Sequence, residues 1–507
     1  MASPASPLQD VVFNVRTYGA VGDGMVLDTA AIQAAIDACH RHGGGTVVVP
    51  AGRYRTGALS LYDHVTLYLN AGGVLAGSQD PADYPVISSR WEGSEQLTYA
   101  PLISGSHLTH VTIAGQGIID GCGQAWWQAF KAGKLAYPRP RLIGFNDCTH
   151  LLLEGVTLRD SPSWTINPVR CENVNLHGLT ILNPADAPNT DGIDPDSCRF
   201  VHISNCHISA GDDCIAIKSG SEGEPPERRL PCRDLTIANC TFARGHGGVV
   251  IGSEMSGGVQ NVAITNCIFV DTDRAIRIKS RRGRGGVVEN VRASNLVMEN
   301  VLCPFTINMY YGCGAWGDPA ISDRGSHPFD QGTPTIRHIH VSQVTANHIQ
   351  VAAAYIEGLA ERPVEDISFS DVTVSLAEGS SPDFPEMADG LEPMHQAGFV
   401  VRNARRVLFE KVRLIHQCGP AFDVHQSTQV ELISSGAAAT DHGEAVARLV
   451  DSDEIFLHAC KAVPGDGPFL KLEGERTANV ILTGNSFPRQ AVQLGEGVPE
   501  AAVQFIA

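Results

Sequence analysis

The sequence predicts an all-β protein in which short parallel strands are stacked coil upon coil as a parallel β-helix. The first observation is a short recurring run in which apolar and polar residues alternate between Gly, Asn, Asp or Pro. The clearest copies begin at His110, His150, Asn173, Phe200, Asp234, Asn261 and Asn290, with fainter copies at His338, Asp366 and Arg406. Self-similarity at a period of about 20–50 residues is typical of stacked repeats, the parallel β-helix among them.

The second observation sets the register between repeats. Four runs that each end in serine begin at Ile193, Ile215, Val249 and Ile276. The last three are separated by 34 and 27 residues, and the asparagine column Asn205, Asn239 and Asn266 has the same two steps. Two columns that share unequal steps predict coils stacked in register, about 4.8 Å apart. We therefore interpret this asparagine column, and the cysteine column beside it at Cys206, Cys240 and Cys267, as structural ladders.

The ends of the chain differ from the middle. An amphipathic helix is predicted from Asp28 to Arg41, where it would cap the open end of the repeat array. Residues 1–12 are predicted to be an N-terminal tail, and residues 13–507 a single catalytic domain without a flexible linker. Beyond about Ser434 the repeat pattern fades.

The amino-acid composition disfavours some classes of function. A formal net charge of -18 disfavours nucleic acid or an anionic membrane as the general partner, because both need a basic surface. No signal peptide and no membrane-spanning run is recognised, and the 14 cysteines show no CxxC pair or zinc-type spacing. We expect free thiols in a reducing cytoplasm, with secretion as the alternative if a signal peptide has been removed.

The predicted register brings charged groups onto one patch. On consecutive coils it places three carboxylates, a histidine and two cations: Asp191, Asp212, Asp213, His246, Arg277 and Lys279. Repulsion between neighbouring carboxylates raises the pKa of at least one of the three. Glycosidic bond cleavage needs such a protonated acid beside an ionised carboxylate. The alternative is that Asp and Gly merely end the strands.

Some charged residues near this patch keep two interpretations. Asp194 and Asp196 either belong to the acidic cluster or serve structure, as strand ends or as partners of Lys218. The basic run from Arg274 to Arg284 is dense for an acidic protein, and we interpret its core as a clamp for an anionic substrate. Its glycine-rich end, with Arg281, Arg282 and Arg284, either rims a cleft or is solvated.

The motifs of this patch resemble a known family. NTDG at residues 189–192, GDD at 211–213, GHG at 245–247 and RIK at 277–279 are similar in order and spacing to the polygalacturonase family of glycoside hydrolases, family 28. The resemblance covers roughly residues 13–311. The sequence differs from the family pattern in two ways: it has Gly211 where the family sometimes has Gln, and it shows no clear disulfides.

The resemblance implies a right-handed β-helix and hydrolysis with inversion at the anomeric carbon. It implies that Asp212 is the general acid and that Asp191 and Asp213 orient and deprotonate the water. His246 would support the protonation state of the acid. Arg277, Lys279 and a tyrosine would hold the sugar carboxylate; the tyrosine matches Tyr311, with Tyr310 still open.

The implied substrate is a pectin-derived oligo- or polysaccharide, with no cofactor and no metal. Long segments at residues 80–99, 219–232 and 312–335 favour a cleft closed at one end, hence exo action with release of galacturonate. The alternatives are an endo-polygalacturonase or a rhamnogalacturonan or xylogalacturonan hydrolase. A calcium-dependent pectate lyase and a non-catalytic carbohydrate-binding β-helix are weaker alternatives.

Overall fold

The structure, a computed structural model, describes residues 11–437, 443–461, 467–487 and 489–506. These residues form two compact units, one of residues 11–91 and 95–211 and the other of residues 92–94 and 212–506. Most of the predicted tail, residues 1–10, lies outside the described residues, and the first strand begins at Val12. A single domain over residues 13–507 stays a prediction.

The first unit contains the first twenty strands. They are β1 (Val12–Asn14), β2 (Asp23–Leu27), β3 (Gly45–Val49), β4 (Gly52–Thr56), β5 (Leu59–Ser60), β6 (Val65–Leu69), β7 (Gly73–Gly77), β8 (Val86–Trp91), β9 (Ser94–Tyr99), β10 (Ile103–Ser106), β11 (Thr109–Gly115), β12 (Ile118–Asp120), β13 (Ile143–Asn146), β14 (Thr149–Glu154), β15 (Thr157–Arg159), β16 (Ile166–Val169), β17 (Glu172–His177), β18 (Thr180–Leu182), β19 (Arg199–Ser204) and β20 (His207–Ser209).

The second unit contains the remaining strands. They are β21 (Asp213–Ile217), β22 (Cys232–Ala238), β23 (Thr241–Gly245), β24 (Gly247–Ile251), β25 (Val259–Thr272), β26 (Arg274–Lys279), β27 (Val287–Glu299), β28 (Cys303–Asn308), β29 (Thr335–Ile349), β30 (Ala352–Glu357), β31 (Val364–Leu376), β32 (Ala397–Arg402), β33 (Ala404–Ile415), β34 (Phe422–His425), β35 (Thr428–Ile433), β36 (Gly436–Ala437), β37 (Ala447–Val450), β38 (Asp453–His458), β39 (Leu470–Glu473), β40 (Val480–Thr483), β41 (Val492–Leu494) and β42 (Val503–Ile506).

Helices are few and short. The α-helices are α1 (Thr29–His42), α2 (Gln124–Lys131) and α3 (Pro319–Ser322). Short 3-10 turns lie at Val15–Tyr18, Pro81–Asp83, Pro226–Arg228, Arg489–Ala491 and Glu500–Ala502. Among the described residues, none of these helices has both the length and the apolar character needed to cross a membrane.

Helix α1 covers the first strands, as its amphipathic pattern predicts. Its buried face consists of Ile32, Ala35, Ile36 and Cys39, and it packs against β1, β3, β5 and β6. Gly43 ends it in the left-handed conformation, with φ of 96°, which glycine adopts without a Cβ penalty.

Three columns of parallel strands run through the first unit. The first is β1, β3, β6, β11, β14, β17 and β19, and the second is β2, β4, β7, β12, β15, β18 and β20. The third is β5, β10, β13 and β16. Crossovers between parallel strands are right-handed in nearly all proteins. The predicted all-β, right-handed parallel β-helix is confirmed.

The second unit has the same construction with longer strands. The long strand β25 pairs with two shorter strands, β22 and β23, along its length. A separate sheet of ten parallel strands, here called the site sheet, consists of β21, β24, β26, β28, β30, β32, β34, β37, β39 and β41. Regular pairing continues past Ser434, where the sequence pattern fades, through β38, β40 and β42.

The register predicted from the sequence is the register of the site sheet. Ile215 pairs with Val249, and Val249 pairs with Ile276. The asparagine ladder is present at the turns, where Asn266 donates to Asn239 at 3.2 Å and both residues have φ near 57°. Asparagine tolerates this left-handed conformation better than most residues. All fourteen cysteines are free thiols, and eleven are buried.

Candidate active site

Three neighbouring strands of the site sheet position the predicted catalytic and substrate-binding residues of the second unit. Asp213 is the first residue of β21, and Asp212 directly precedes it. His246 directly precedes β24, and its amide donates to the carbonyl of Asp212 at 3.0 Å. Arg277 and Lys279 lie two apart on β26, so their side chains leave the same face of the sheet.

Asp213 is held by both cations of β26. Lys279 Nζ donates to Asp213 Oδ2 at 2.8 Å, and an Arg277 Nη lies 3.4 Å from Oδ1. All three side chains are buried, and buried charges persist only when they are paired in this way. Gly247 pairs with Asp213, and a Cβ there would lie 3.1 Å from Oδ1, so glycine leaves room for the carboxylate.

Asp212 forms a pair of a different kind with His246. Their Oδ1 and Nδ1 atoms are 3.4 Å apart. Burial alone would raise the pKa of Asp212, but the hydrogen bond to His246 and the charges of His246 and Lys279 outweigh it and lower that pKa to about 2. The raised pKa that repulsion between carboxylates predicts for an acid is therefore not found at Asp212, because His246 and Lys279 stabilise its charged form. The hydrogen bond to Asp212 raises the pKa of His246 above 6.5, against a smaller opposing effect of burial. Below the raised pKa of His246 the pair therefore carries one proton, which resides on His246.

This shared proton predicts a pH dependence. If it is needed for turnover, activity is present below the raised pKa of His246 and is lost as the pH rises through it, so the alkaline limb of kcat/KM lies above pH 6.5. In His246→Asn only Asp212 can hold the proton, and the pKa of a carboxyl without this partner returns toward about 4. We expect the alkaline limb to move down by more than two pH units, measured from rates between about pH 3 and 9. An unchanged limb would show that the pair does not supply the proton.

A buried glutamate that the sequence did not reveal completes the site. Glu386 accepts two hydrogen bonds from Arg277, at 2.9 Å from Nε and 2.5 Å from Nη2. It also accepts from Thr306 Oγ1 at 3.0 Å and from the Met387 amide at 2.7 Å. Burial would raise its pKa, but Arg277 and Arg274 outweigh it and hold the pKa of Glu386 at about 2. Arg277 is therefore anchored by a carboxylate of the protein itself.

The two candidate tyrosines face different neighbours. Tyr311 has Lys279 Nζ 5.3 Å and Arg277 Cζ 5.8 Å from its ring centre, within cation–π range. Burial raises the pKa of Tyr311 to about 12, although Lys279 opposes this. Tyr310 instead packs under Arg324, whose Cζ is 3.7 Å from its ring centre. Only Tyr311 of the two stands beside the cations of β26.

The side chains of the arginines at the end of the basic run are largely buried, and each lies beside a glutamate. Arg282 pairs with Glu361 at 2.6 Å, and Arg284 pairs with Glu222. Arg281 lies 3.5 Å from the same glutamate. The interpretation that these residues are merely solvated is wrong, because they fasten neighbouring loops to the site sheet; that they rim a cleft stays a prediction.

Asp191 lies in the first unit, in the NTDG segment. Its side chain is buried, and its carbonyl accepts from the Thr165 amide at 2.9 Å. The buried Arg139 holds the same segment by donating to Asn189 Oδ1 at 2.7 Å. Gly211 also belongs here, and a Cβ would come within 2.6 Å of Thr190 Oγ1, so the close backbone approach requires glycine. The role of Asp191 stays a prediction.

The remaining acidic residues have partners that serve the structure. Asp196 pairs with the buried Arg90 at 2.7 Å, which favours the structural interpretation. The carbonyl of Asp194 accepts from Asn167 Nδ2 at 2.7 Å. Lys218 is 3.0 Å from Glu254. The second unit thus brings together Asp212, Asp213, His246, Arg277, Lys279 and Tyr311, and adds Glu386.

Glycosidic hydrolysis uses a pair of carboxylates, one as acid and one as base or nucleophile. Asp212 and Asp213 are two adjacent carboxylates with different partners, which is compatible with such a pair. The profile of glycosyl hydrolases family 28 matches residues 39–385. The chain belongs to this family, the polygalacturonase family, and is a glycoside hydrolase of the polygalacturonase type.

Individual relatives agree with this assignment. A probable polygalacturonase of Vitis vinifera is 37% identical over 370 residues, which cover 71% of this chain and 73% of that protein. An endo-polygalacturonase of Pectobacterium carotovorum is 33% identical over 56% of this chain and 72% of its own length. The crystal structure of an exopolygalacturonase from Thermotoga maritima has a TM-score of 0.65 and 29% identity, covering 79% of this chain and 92% of that one.

Proposed function

We propose that this enzyme hydrolyses α-1,4-galacturonosyl linkages of pectin-derived chains and releases galacturonate from a chain end. The proposal of hydrolysis rests on one observation, which is that two adjacent carboxylates have different partners. Asp213 is fixed between Lys279 and Arg277, whereas Asp212 is coupled to the proton of His246. One carboxylate is thus suited to act as a base and the other to receive and pass on a proton.

In this mechanism the proton of the Asp212–His246 pair moves to Asp212 and then to the oxygen of the leaving sugar. Asp213 takes a proton from the attacking water, which gives inversion at the anomeric carbon. Asp191 is assigned to the same water by family resemblance. The substrate carboxylate meets Lys279, Tyr311 and Arg277, whose guanidinium is held in place by Glu386.

Three segments of the second unit support action at a chain end. The segment of residues 377–396 reaches the site through Glu386, and its Met387 carbonyl accepts from the Gly312 amide at 2.9 Å. The segment of residues 312–335 joins it again where the Gly317 amide donates to Asp389 at 2.8 Å. The segment of residues 219–232 is tied to Arg284 by Glu222. In this proposal the three segments close one end of the cleft, whereas an endo enzyme needs an open passage for the polymer.

The fourteen free cysteines support a further part of the proposal, that the enzyme works in the cytoplasm or another reducing compartment. Eleven buried thiols survive without pairing most readily where glutathione keeps them reduced. The substrates available there are short oligogalacturonides and not cell-wall polymer.

Product analysis on a defined oligogalacturonide tests both reaction and mode. We expect galacturonate as the first and only early product, the rest being the chain shortened by one residue, with the anomeric configuration of the new end inverted when followed by NMR. A spread of intermediate oligomers in the first minutes would contradict exo action and leave hydrolysis intact. Unsaturated sugars would contradict hydrolysis itself.

A further inference from the structure

The segment of the first unit that carries Asp191 is irregular. It consists of residues 183–198, between β18 and β19, and pairs with the preceding coil only through isolated bridges at Ile193 and Asp196. Asp213, by contrast, is the first residue of the regular strand β21. A ladder of backbone hydrogen bonds therefore fixes Asp213, whereas the position of Asp191 depends in part on other contacts.

Arg139 supplies three contacts that fix this segment. Its Nη1 donates to the carbonyl of Pro188 at 2.7 Å and to that of Pro162 at 2.9 Å, and its Nη2 donates to Asn189 Oδ1 at 2.7 Å. Arg139 is only 1% exposed, and hydrogen bonds from a charged donor are strong where water is excluded. Two of the three acceptors lie within the three residues that precede Asp191.

Arg139 is itself held in place. It stands between two prolines, and proline restricts the backbone at its own position and at the residue before it. The Arg139 Cζ atom lies 3.9 Å from the ring centre of Phe130, which belongs to α2, and forms a cation–π contact there. At the end of the same helix, Lys131 Nζ donates to the carbonyl of Asp186 at 3.0 Å. Helix α2 therefore supports both Arg139 and the irregular segment.

The residue directly before Asp191 is held separately. Asn183 Nδ2 donates to the carbonyl of Thr190 at 3.1 Å. Asn189 has φ of 51°, a left-handed conformation that is sparsely populated outside glycine. Such conformations persist where the surrounding structure fixes them, and they cluster at active sites. The contacts of Arg139 and Asn183 thus fix the backbone on which the direction of the Asp191 side chain depends.

We propose that Arg139 is a positioning residue for hydrolysis, which keeps the carboxylate of Asp191 in place through its hydrogen bonds to Pro188 and Asn189. The inference rests on the proposed function, in which Asp191 acts on the attacking water. A carboxylate that serves this water must lie within hydrogen-bond distance of it, and a misplacement of about 1 Å costs about a hundredfold in rate. Arg139 acts through the backbone of the segment and not on the substrate.

The first test is Arg139→Lys. The ammonium group keeps the charge but lacks the planar fork that reaches several acceptors at once. We expect kcat on an oligogalacturonide to fall by about a hundredfold, with KM unchanged, because the contacts to the substrate stay in place. The alkaline limb of the pH profile should also stay unchanged, because the Asp212–His246 pair is left intact. A raised KM with unchanged kcat would overturn the proposal.

An aryl galacturonide distinguishes a misplaced base from a lost acid. Its 4-nitrophenolate leaving group departs with little help from a general acid, so Asp212→Asn should lose far less activity on it than on an oligogalacturonide. The water still needs its base, so Arg139→Lys should lose about a hundredfold on both substrates. If Arg139→Lys recovered on the aryl substrate as Asp212→Asn does, Arg139 would serve the acid, and the proposal would be wrong.

Asn189→Gly tests the route through the segment. It removes one acceptor of Arg139 and keeps the left-handed backbone, because glycine adopts φ of 51° without strain. If Arg139 acts through Asn189, the two losses in kcat overlap, and the double variant loses less than the product of the single losses. Losses that multiply in full would count against the proposal.

The matched control is Arg16→Lys. Arg16 also donates to a backbone carbonyl, that of Ala51 at 2.9 Å, and its Cζ lies 5.9 Å from the ring centre of Tyr54. The same substitution there should leave kcat at the wild-type value. An equal loss in Arg16→Lys and Arg139→Lys would show that the effect is general and would overturn the proposal.

Hydrogen exchange, followed by mass spectrometry of peptides, separates this proposal from the proposed function. In Arg139→Lys the amides of residues 183–192 should exchange faster than in the wild type, while those of β25 should not change. If the wild type cleaves no galacturonide, the proposed function fails, and the exchange still decides whether Arg139 holds the segment. If the exchange and kcat of Arg139→Lys equal those of the wild type, the positioning role fails while hydrolysis stands.

Discussion

Replacing Asp212 by asparagine is expected to lower kcat by at least about a hundredfold, and up to about ten-thousandfold, the range by which a positioned acid accelerates proton transfer. The amide has nearly the same shape and can still accept the hydrogen bond that Asp212 Oδ1 receives from the Asp213 amide at 3.0 Å. It cannot take the proton of His246 and pass it to a leaving oxygen. Initial rates on an oligogalacturonide measure the loss.

Folding must be shown to be intact in the same samples. Asp212→Asn should keep the far-UV circular dichroism of the wild type and a Tm within a few degrees. Asp371→Asn is the matched control, because Asp371 is exposed and its left-handed backbone, with φ of 57°, suits asparagine equally well. Activity of Asp212→Asn near that of the control would refute the assignment of Asp212 as the acid.

The second large effect is expected for Lys279→Met. This change leaves Asp213 buried with only the 3.4 Å contact to Arg277. Removing one partner of a buried ion pair costs about 3–5 kcal/mol, because the other charge stays buried. We expect the free energy of unfolding to fall by about that amount in denaturant titrations, and kcat/KM on galacturonides to fall by more than about a hundredfold.

Comparing a charged with a neutral substrate distinguishes two roles of Lys279, which are holding Asp213 and binding the sugar carboxylate. If it only holds Asp213, the loss is the same on a galacturonide and on a neutral galactoside of equal length. If it also binds the sugar carboxylate, the galacturonide loses roughly 10- to 150-fold more, since a charge-assisted hydrogen bond contributes roughly 1.5–3 kcal/mol. Lys134→Met, at an exposed lysine of the first unit, serves as the control for losing one positive charge.

The repeat pattern predicted the strands because the physics that forms them is local and periodic. Alternating runs from His110 to Arg406 coincide with observed strands. The steps at Ile215, Val249 and Ile276, which the asparagine column shares, predicted the pairing directly. The same register placed Asp213 on β21 and both Arg277 and Lys279 on β26, with β24 between these two strands. Beyond Ser434 the strands are short, and their alternation was too faint to read without the pairing.

The contacts made by loops could not be read in this way. Glu386 stands in an irregular segment with no motif, 109 residues after Arg277, and no short-range spacing connects the two. The choice between Tyr310 and Tyr311 depends on the turn after β28, which swings one ring toward Lys279 and the other under Arg324. Glu222 and Glu361, the partners of Arg284 and Arg282, are equally distant in sequence from any motif.

The pairing of Arg277 with Glu386 also has a consequence in time. Ribosomes add about 5–20 residues per second, so roughly 5 to 20 s pass between the synthesis of residue 277 and that of residue 386. During that interval β26 can already pair with β24, while Arg277 has no Glu386 to neutralise it. The sheet that carries the catalytic groups is thus available before the segment that fastens them. In this order of synthesis the site sheet can form first, and the site is complete only when the segment that carries Glu386 has docked.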